Sequence, residues 1–199
     1  MSLEGALLGL ISSMEPVSGY ELAKAFELSM THYWHARHGQ IYPTLKRLRR
    51  RGLVTISEVR QPGRPTKKLY SITPEGKAEL VRWLSTPPRP LQMKHEGLLK
   101  CRFYFHLPLS EAMRRLEEER SGYEALLERY RRYESEYFSS VFEKGDPDVL
   151  FAYFTLRRGI LFLEESIRWC DWVREELRSW EEREKRRQSR RRRIPRARG

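Results

Sequence analysis

At 199 residues, 39% hydrophobic and 33% charged, the chain has enough apolar material for one large core or two small ones, which excludes global disorder. No apolar run approaches the roughly eighteen residues that span a bilayer, and Met1-Ser2-Leu3-Glu4 lacks the basic start of a secretory signal, so a cytoplasmic protein with no membrane partner is expected. The net charge of +12 sits at the two ends, because residues 1–85 carry 13 basic and 7 acidic side chains, residues 183–199 carry 10 and 1, and the block between is slightly acidic.

From the N-terminus, Leu3, Ala6, Leu7, Leu10 and Ile11 recur at helical spacing and predict a first helix with one buried stripe. Ser18-Gly19-Tyr20-Glu21 is a capping box, in which the serine oxygen accepts from the Glu21 amide and the Glu21 side chain reaches back. The second helix turns Leu22, Ala23 and Phe26 inward, and residues 29–38 read as a connector. A third helix is predicted over residues 40–51, with Pro43 in its first turn, where a missing N–H loses no bond, and Gly52 as its left-handed cap. Val54-Thr55-Ile56 and Leu69-Tyr70-Ser71-Ile72 read as strands around a turn at residues 61–65. Thr73-Pro74-Glu75 opens a fourth helix whose inner face is Ala78, Val81 and Leu84. Thr86-Pro87-Pro88-Arg89-Pro90 cannot continue a helix, so the first domain is drawn over residues 1–86.

Residues 92–182 read as almost all helix and form the second domain. After a short helix over residues 93–105, Ser110 is expected to cap a long one. Its apolar positions Met113, Leu116, Tyr123, Leu127, Tyr130, Tyr137 and Val141 keep a heptad seam broken only by Arg120 and Glu134. Gly145-Asp146-Pro147 stops and restarts the chain. The last helix then carries Val149, Tyr153, Leu156, Ile160, Leu163, Ile167, Cys170 and Leu177 in phase, with Phe154, Leu161 and Trp172 on a second apolar face. Two such faces exceed what a two-helix hairpin can bury, which points to a homodimer, with Leu116, Tyr123, Leu127, Tyr130, Ile160, Leu163 and Ile167 as its contacts. From Arg183 the apolar pattern stops, and residues 183–199 are expected to be a basic disordered tail.

Helix, helix, helix, basic hairpin, helix is the order of a winged helix-turn-helix, so the fold class is mainly α: that domain with a two-stranded wing, then an antiparallel helical dimerisation domain. In the third helix Ile41, Leu45 and Leu48 share the buried face, leaving Gln40, Tyr42, Thr44, Lys46, Arg47 and Arg50 for a major groove, where arginine pairs with guanine and glutamine with adenine. Arg60, Arg64, Lys67 and Lys68 ring the hairpin tip, where phosphate contacts supply affinity and salt dependence. Ser18 and Tyr20, at a helix N-terminus, add a phosphate site. The expected partner is double-stranded DNA.

Other chemistry is thinly supported. His32, His35 and His38 are spaced by three, without the paired cysteines of a structural zinc site, and no metal or other cofactor is expected. No nucleophile elbow, phosphate-binding loop or H-E-x-x-H run is present, so an enzyme is not expected. The two thiols, Cys101 and Cys170, make no disulfide framework and fit a reducing compartment. Trp34, Phe103, Tyr104, Trp169 and Trp172 are candidates to line a pocket for a small aromatic effector, the alternative being ordinary core.

Three stretches resemble the PadR family of bacterial transcriptional regulators: Leu7-Leu8-Gly9-Leu10 with Ser18-Gly19-Tyr20-Glu21-Leu22; Gly39-Gln40-Ile41-Tyr42-Pro43-Thr44-Leu45-Lys46-Arg47-Leu48 with Gly52-Leu53-Val54; and Gly63-Arg64-Pro65-Thr66-Lys67-Lys68-Leu69-Tyr70-Ser71-Ile72-Thr73-Pro74-Glu75-Gly76. The second half, with Leu98-Leu99-Lys100-Cys101-Arg102-Phe103, looks like the subgroup with a larger C-terminal domain akin to the virulence activator AphA. The resemblance implies a homodimer with interlocked C-terminal helices on a palindromic operator, and repression relieved by a small molecule. It also implies groove reading by Gln40, Tyr42, Thr44, Lys46 and Arg47, and a wing role for Arg64, Lys67 and Lys68. The basic tail departs from the family pattern. Two other readings stay open: a protein-interaction module built on a winged helix, and nonspecific RNA or DNA binding through that tail.

Overall fold

In the computed structural model, residues 2–30, 38–61, 64–88, 90 and 94–193 are described. The chain divides into two compact units, Met1–Leu91 and Gln92–Gly199. The first contains α1 (Ser2–Met14), β1 (Val17–Ser18), α2 (Gly19–Met30), α3 (His38–Arg50), β2 (Val54–Gln61), β3 (Arg64–Ile72) and α4 (Pro74–Leu84). Its core is the meeting of α1, α2 and α3 over the base of the hairpin, with Leu7, Leu8, Ile11, Leu22, Phe26, Ile41, Leu45 and Leu48 all buried. Three of the helix boundaries have local causes that the sequence states outright. The capping box before α2 closes reciprocally, with the Glu21 amide donating to Ser18 Oγ at 3.2 Å and the Ser18 amide donating to Glu21 Oε2 at 2.9 Å. Gly52, at φ 69°, ends α3 in a Schellman turn, its amide donating to the Arg49 carbonyl and the Leu53 amide to that of Leu48. Thr73 Oγ1 accepts from the Gly76 amide at 3.0 Å and caps α4, with Pro74 at the first helical position.

The hairpin pairs Val54 with Ile72 through Glu58 with Lys68 and Val59 with Lys67, and its register shifts between Val59 and Gln61. β1 adds a third antiparallel strand, Val17 opposite Tyr70 and Ser18 opposite Leu69, so the sheet order is β1-β3-β2. That strand docks the start of α2 onto the wing.

Two expectations for this unit change. α3 begins at His38, so Pro43 lies in the second turn rather than the first, with its ring exposed. The inner face of α4 is Gly76, Leu80 and Trp83, whereas Ala78 is exposed, Val81 is 61% exposed and Leu84 66% exposed. The close approach of α1 and α4 explains the difference. A β-carbon on Gly5 would strike the Trp83 ring, so the bare Gly5 backbone makes the slot that draws Trp83 inward and rotates α4.

The second unit contains α5 (Glu96–Cys101), a 3-10 turn (Tyr104–His106), α6 (Leu109–Tyr137), α7 (Val141–Lys144) and α8 (Pro147–Arg193). His95 caps α5 through Nδ1, which accepts from the Leu98 amide, and its Nε2 faces the Tyr123 hydroxyl at 2.7 Å. α6 starts one residue before Ser110, with Pro108 at the cap position, and ends at Tyr137, so Val141 belongs to a separate short helix. Asp146 caps α8 as expected, accepting from the Asp148 amide at 2.9 Å.

α6 and α8 pack along the heptad seam within one chain. Leu127, Phe138, Val141, Leu156, Ile160 and Leu163 form the core, with Tyr123, Tyr130 and Ile167 packed against it. Four of the seven residues expected at the contact between copies are already covered within one chain. Leu116 and Ile160 are fully buried and Leu127 and Leu163 nearly so inside a single chain, the last three in the shared seam of α6 and α8. The charged interruptions of the seam are paired across it: Arg120 Nε donates to Asp171 Oδ1 at 2.6 Å, Arg157 to Glu134 at 3.2 Å, and Arg174 pairs with Glu117. α8 also does not stop where its apolar pattern stops at Arg183 but runs to Arg193. Arg, Lys, Glu and Gln are good helix formers, and Lys185–Glu181 and Arg187–Glu184 pairs at helical spacing support the extension.

Candidate nucleic-acid interface

The exposed side of α3 divides into three strips, set by burial of Ile41, Thr44, Leu45 and Leu48 on the other side. Gly39, Pro43, Lys46 and Arg50 run along the middle and face directly away from the core. Gln40 and Arg47 lie along one edge, and Tyr42 and Arg49 along the other. The edges differ electrostatically. Arg47 Nε donates to Glu4 Oε1 at 3.0 Å, and Arg51, just past α3, donates to Glu4 at 2.8 Å and to Glu79 at 3.0 Å. Lys46, Arg49 and Arg50 have no ion pair among the described residues. The uncompensated positive charge of α3 therefore lies on its middle strip and on the Tyr42 edge.

That edge adjoins the start of α2 and the sheet. Tyr42 is 53% exposed, and its Cε1 approaches Gly19 closely enough that a β-carbon there would lie 2.8 Å away. The Tyr70 phenol is pushed above its ordinary pKa chiefly by burial and further by neighbouring Tyr42, with Arg49 opposing. Arg49 is the residue that sequence reasoning missed. Its spacing of seven from Tyr42 puts both on one edge and would have revealed it.

Thr44 is not a surface residue. It is 1% exposed, its hydroxyl donates to the Gln40 carbonyl at 2.7 Å, and it accepts from Arg47, so it braces α3 rather than facing a groove. Ser18 is likewise 5% exposed, with its hydroxyl donated to Glu21 Oε2 at 2.6 Å. Glu21 already places a carboxylate at the α2 N-terminus, so the anion niche there is filled from within the chain. Those Ser18 bonds, followed by Lys67, hold the Glu21 carboxyl down to about 2 from 4.5. Tyr20 is 71% exposed and stays on the surface.

On the wing, successive residues alternate between the two faces. Lys67 turns toward α2 and meets Glu21 Oε1 at 3.0 Å, while Lys68 lies 3.9 Å from Glu58. Arg60 is exposed on β2. The Arg64 backbone begins β3, but its side chain lies outside the described residues, as do Pro62 and Gly63, His32 and His35, the His38 side chain, and Trp34.

Residues 7–82 match the transcriptional regulator PadR-like family, and residues 93–178 match the virulence activator alpha C-terminal domain. A probable transcriptional regulator of Mycobacterium tuberculosis is 34% identical over 188 residues, covering 89% of this chain and 98% of that protein. The chain belongs to the PadR-like family of transcriptional regulators. Among solved structures, Bacillus subtilis PadR in complex with operator DNA superposes on this PadR-like chain with TM-score 0.79 at 29% identity, covering 89% of this chain and 99% of the other. The same protein has been solved with p-coumaric acid, with TM-score 0.73 at 29% identity. The Vibrio cholerae virulence activator AphA matches at TM-score 0.70 and 26% identity, over 89% of this chain and 99% of that one.

In this PadR-like regulator the proposed effector residues that are described differ widely in exposure. Phe103 is 51% exposed beside the 3-10 turn, Trp172 is 60% exposed on α8, and Trp169 is half-buried. An open groove of about 720 Å³ between α6 and α8 has an apolar floor of Leu127 and Ile167, with Glu124, Glu128, Arg131, Glu164 and Arg168 at its rim, and none of these aromatics lines it. Both thiols are pushed up by burial and by the nearby Glu119 carboxylate, Cys170 to about 11, so neither is an activated nucleophile. None of the described helices is long and apolar enough to cross a membrane.

Proposed function

We propose that this PadR-like regulator binds duplex DNA as a homodimer on a palindromic operator, as a repressor released by a small aromatic molecule. The observation that carries the reading is the distribution of charge on α3: Lys46, Arg49 and Arg50 are exposed and unneutralised beside Tyr42, while the cations facing α1 are tied to Glu4. In this reading α3 enters the major groove along its middle strip, with Gln40 and Tyr42 at the edges. Arg60, Arg64, Lys67 and Lys68 hold phosphates on the adjacent backbone. B. subtilis PadR, with operator DNA and p-coumaric acid in two of its structures, supports both the DNA and the effector assignments. A regulator of this kind works in the cytoplasm and is not an enzyme.

The second copy is expected on the outer face of α8. Phe154 is 47% exposed, Leu161 50% and Trp172 60%, after the inner seam has been spent on α6. A winged helix acting only as a protein-interaction module would not keep Lys46 and Arg50 on its groove-facing strip, and Arg49 on the adjoining edge, with no ion pair among the described residues. Selection of bound sequences from a random duplex pool tests the reading. Enrichment of an inverted repeat, with two chains per duplex, is expected. A pool that stays random through successive rounds would overturn it.

A further inference from the structure

The last three turns of α8 lie beyond the residues that match the C-terminal family domain, which ends at position 178. They also lie beyond the core, since among the described side chains the last buried residue of α8 is Cys170. Residues 183–193 are nevertheless helical, and by sequence they hold eight basic residues and a single acidic one, Glu184. Arg183, Arg186 and Arg187 are exposed, and positions 183, 186, 187 and 190, all arginine, follow the i, i+3, i+4, i+7 spacing that sets residues on one strip of a helix. Arg187 is partly neutralised by Glu184 at 2.9 Å, whereas Arg183 and Arg186 have no ion pair among the described residues. From Arg183 to Arg193 the helix extends the strip by about 15 Å at ~1.5 Å per residue.

We infer that this arginine helix is a second phosphate-binding element, which grips duplex DNA without reading its sequence. The strip spans nearly one face of a duplex turn half, where backbone charges recur every ~1.7 Å of axis, and guanidinium groups bind phosphate oxygens in pairs. Residues 183–193 contain no apolar side chain, so the helix has nothing to insert into a bilayer, which distinguishes it from a membrane-surface helix. Continuous backbone helix presents the charges at fixed spacing, without the ordering cost of a flexible tail. The inference extends the operator-binding reading but stands on separate residues.

The test uses the full chain, a variant carrying Arg183→Gln, Arg186→Gln, Arg187→Gln and Arg190→Gln, and a chain ending at Glu182. Glutamine keeps the helix while removing the charge. Binding of a labelled 40-base-pair duplex of random sequence is followed by anisotropy across salt concentrations. The four replacements should flatten the log–log salt slope by about 3 to 4 units and weaken binding at low salt more than tenfold, with the deletion at least as severe. An unchanged slope in both variants overturns the inference. So does a loss confined to single-stranded RNA of the same length or to vesicles of anionic lipid. The pool selection described above is scored separately. Operator enrichment that survives the four replacements while the slope does not would uphold both proposals; a flattened slope in a chain that selects no sequence would uphold this one alone.

Discussion

Tyr42 of α3 rests against the bare α-carbon of Gly19 at the start of α2, where a β-carbon would stand 2.8 Å from the ring. Gly19 thus holds the exposed aromatic of the recognition helix in place by what it lacks. Alanine in its place would push the ring tip outward, and because that tip is the free end of a side chain, the fold can absorb the shift. Gly19→Ala should leave thermal stability within about 0.5 kcal/mol of the parent. It should weaken binding to the selected operator roughly tenfold, ~1.4 kcal/mol. Melting and anisotropy on one preparation check it, and equal affinity would detach Tyr42 from the interface.

The Glu21–Lys67 pair couples stability and affinity with opposite signs. Glu21→Gln keeps a side-chain oxygen for the capping box but removes the carboxylate charge, and should cost no more than about 1 kcal/mol of stability. It also removes an anion beside the wing, so affinity at low salt should rise by about threefold as Lys67 is released to phosphate. Because the folded Glu21 pKa is depressed from 4.5 to about 2, its contribution is fully present above pH 4.5 and fades as pH falls toward 2. The stability gap between parent and variant should therefore be constant near neutrality and close below pH 4.5. The carboxylate is 45% exposed, so solvent screening keeps its electrostatic share small. A gap as large at pH 2 as at pH 7 would assign the effect to something other than the charge.

Neighbouring cations on α3 should behave differently. Lys46→Ala and Arg50→Ala are each expected to cost ~1–3 kcal/mol of operator affinity where a base edge is contacted, and to flatten the salt slope where a phosphate is. Arg47→Ala should cost less affinity, because its guanidinium is already committed to Glu4, and should lower stability by no more than about 1 kcal/mol. Quantitative binding of the three variants at two salt concentrations ranks them; Arg47 dominating would reverse the assignment of strips.

Adjacent residues of α8 separate folding from assembly. Ile160 is fully buried against α6, so Ile160→Ala should destabilise the second unit by about 2–5 kcal/mol. Leu161, one residue on and turned away from the seam, is 50% exposed. Leu161→Glu should leave helix content unchanged and shift sedimentation from dimer to monomer at micromolar concentration. If Leu161→Glu stays dimeric, the outer face of α8 is not the contact between copies.

Much of this was legible in the sequence because short-range chemistry determines it. Ser18 with Glu21, Gly52, Thr73 with Pro74, and Asp146 each mark a helix end through bonds between residues a few positions apart. What escaped depended on distant partners. β1 is two residues long, too short to show alternation, and exists only because Tyr70 and Leu69 lie opposite it. Thr44 reads as a surface polar residue, and only its bond to the Gln40 carbonyl lets the hydroxyl be buried. The seam of α6 and α8 was visible as a repeat, but a repeat does not say whether its partner is in the same chain. α8 outlasted its apolar pattern because helix propensity and ion pairs need no core.

The pairs Glu117–Arg174, Arg120–Asp171 and Glu134–Arg157 share one antiparallel alignment of α6 against α8. Slide α8 by one heptad in one direction, and Glu117 would confront Glu181, Arg120 would confront Arg178 and Glu134 would confront Glu164. Slide it the other way, and Glu117 and Glu134 would be stranded opposite Ile167 and Leu150. All three pairs survive in neither shifted alignment, so the ion pairs favour the one observed. A signal crossing it would then travel more readily as tilt, rotation or separation of the two bars than as a slide of one past the other.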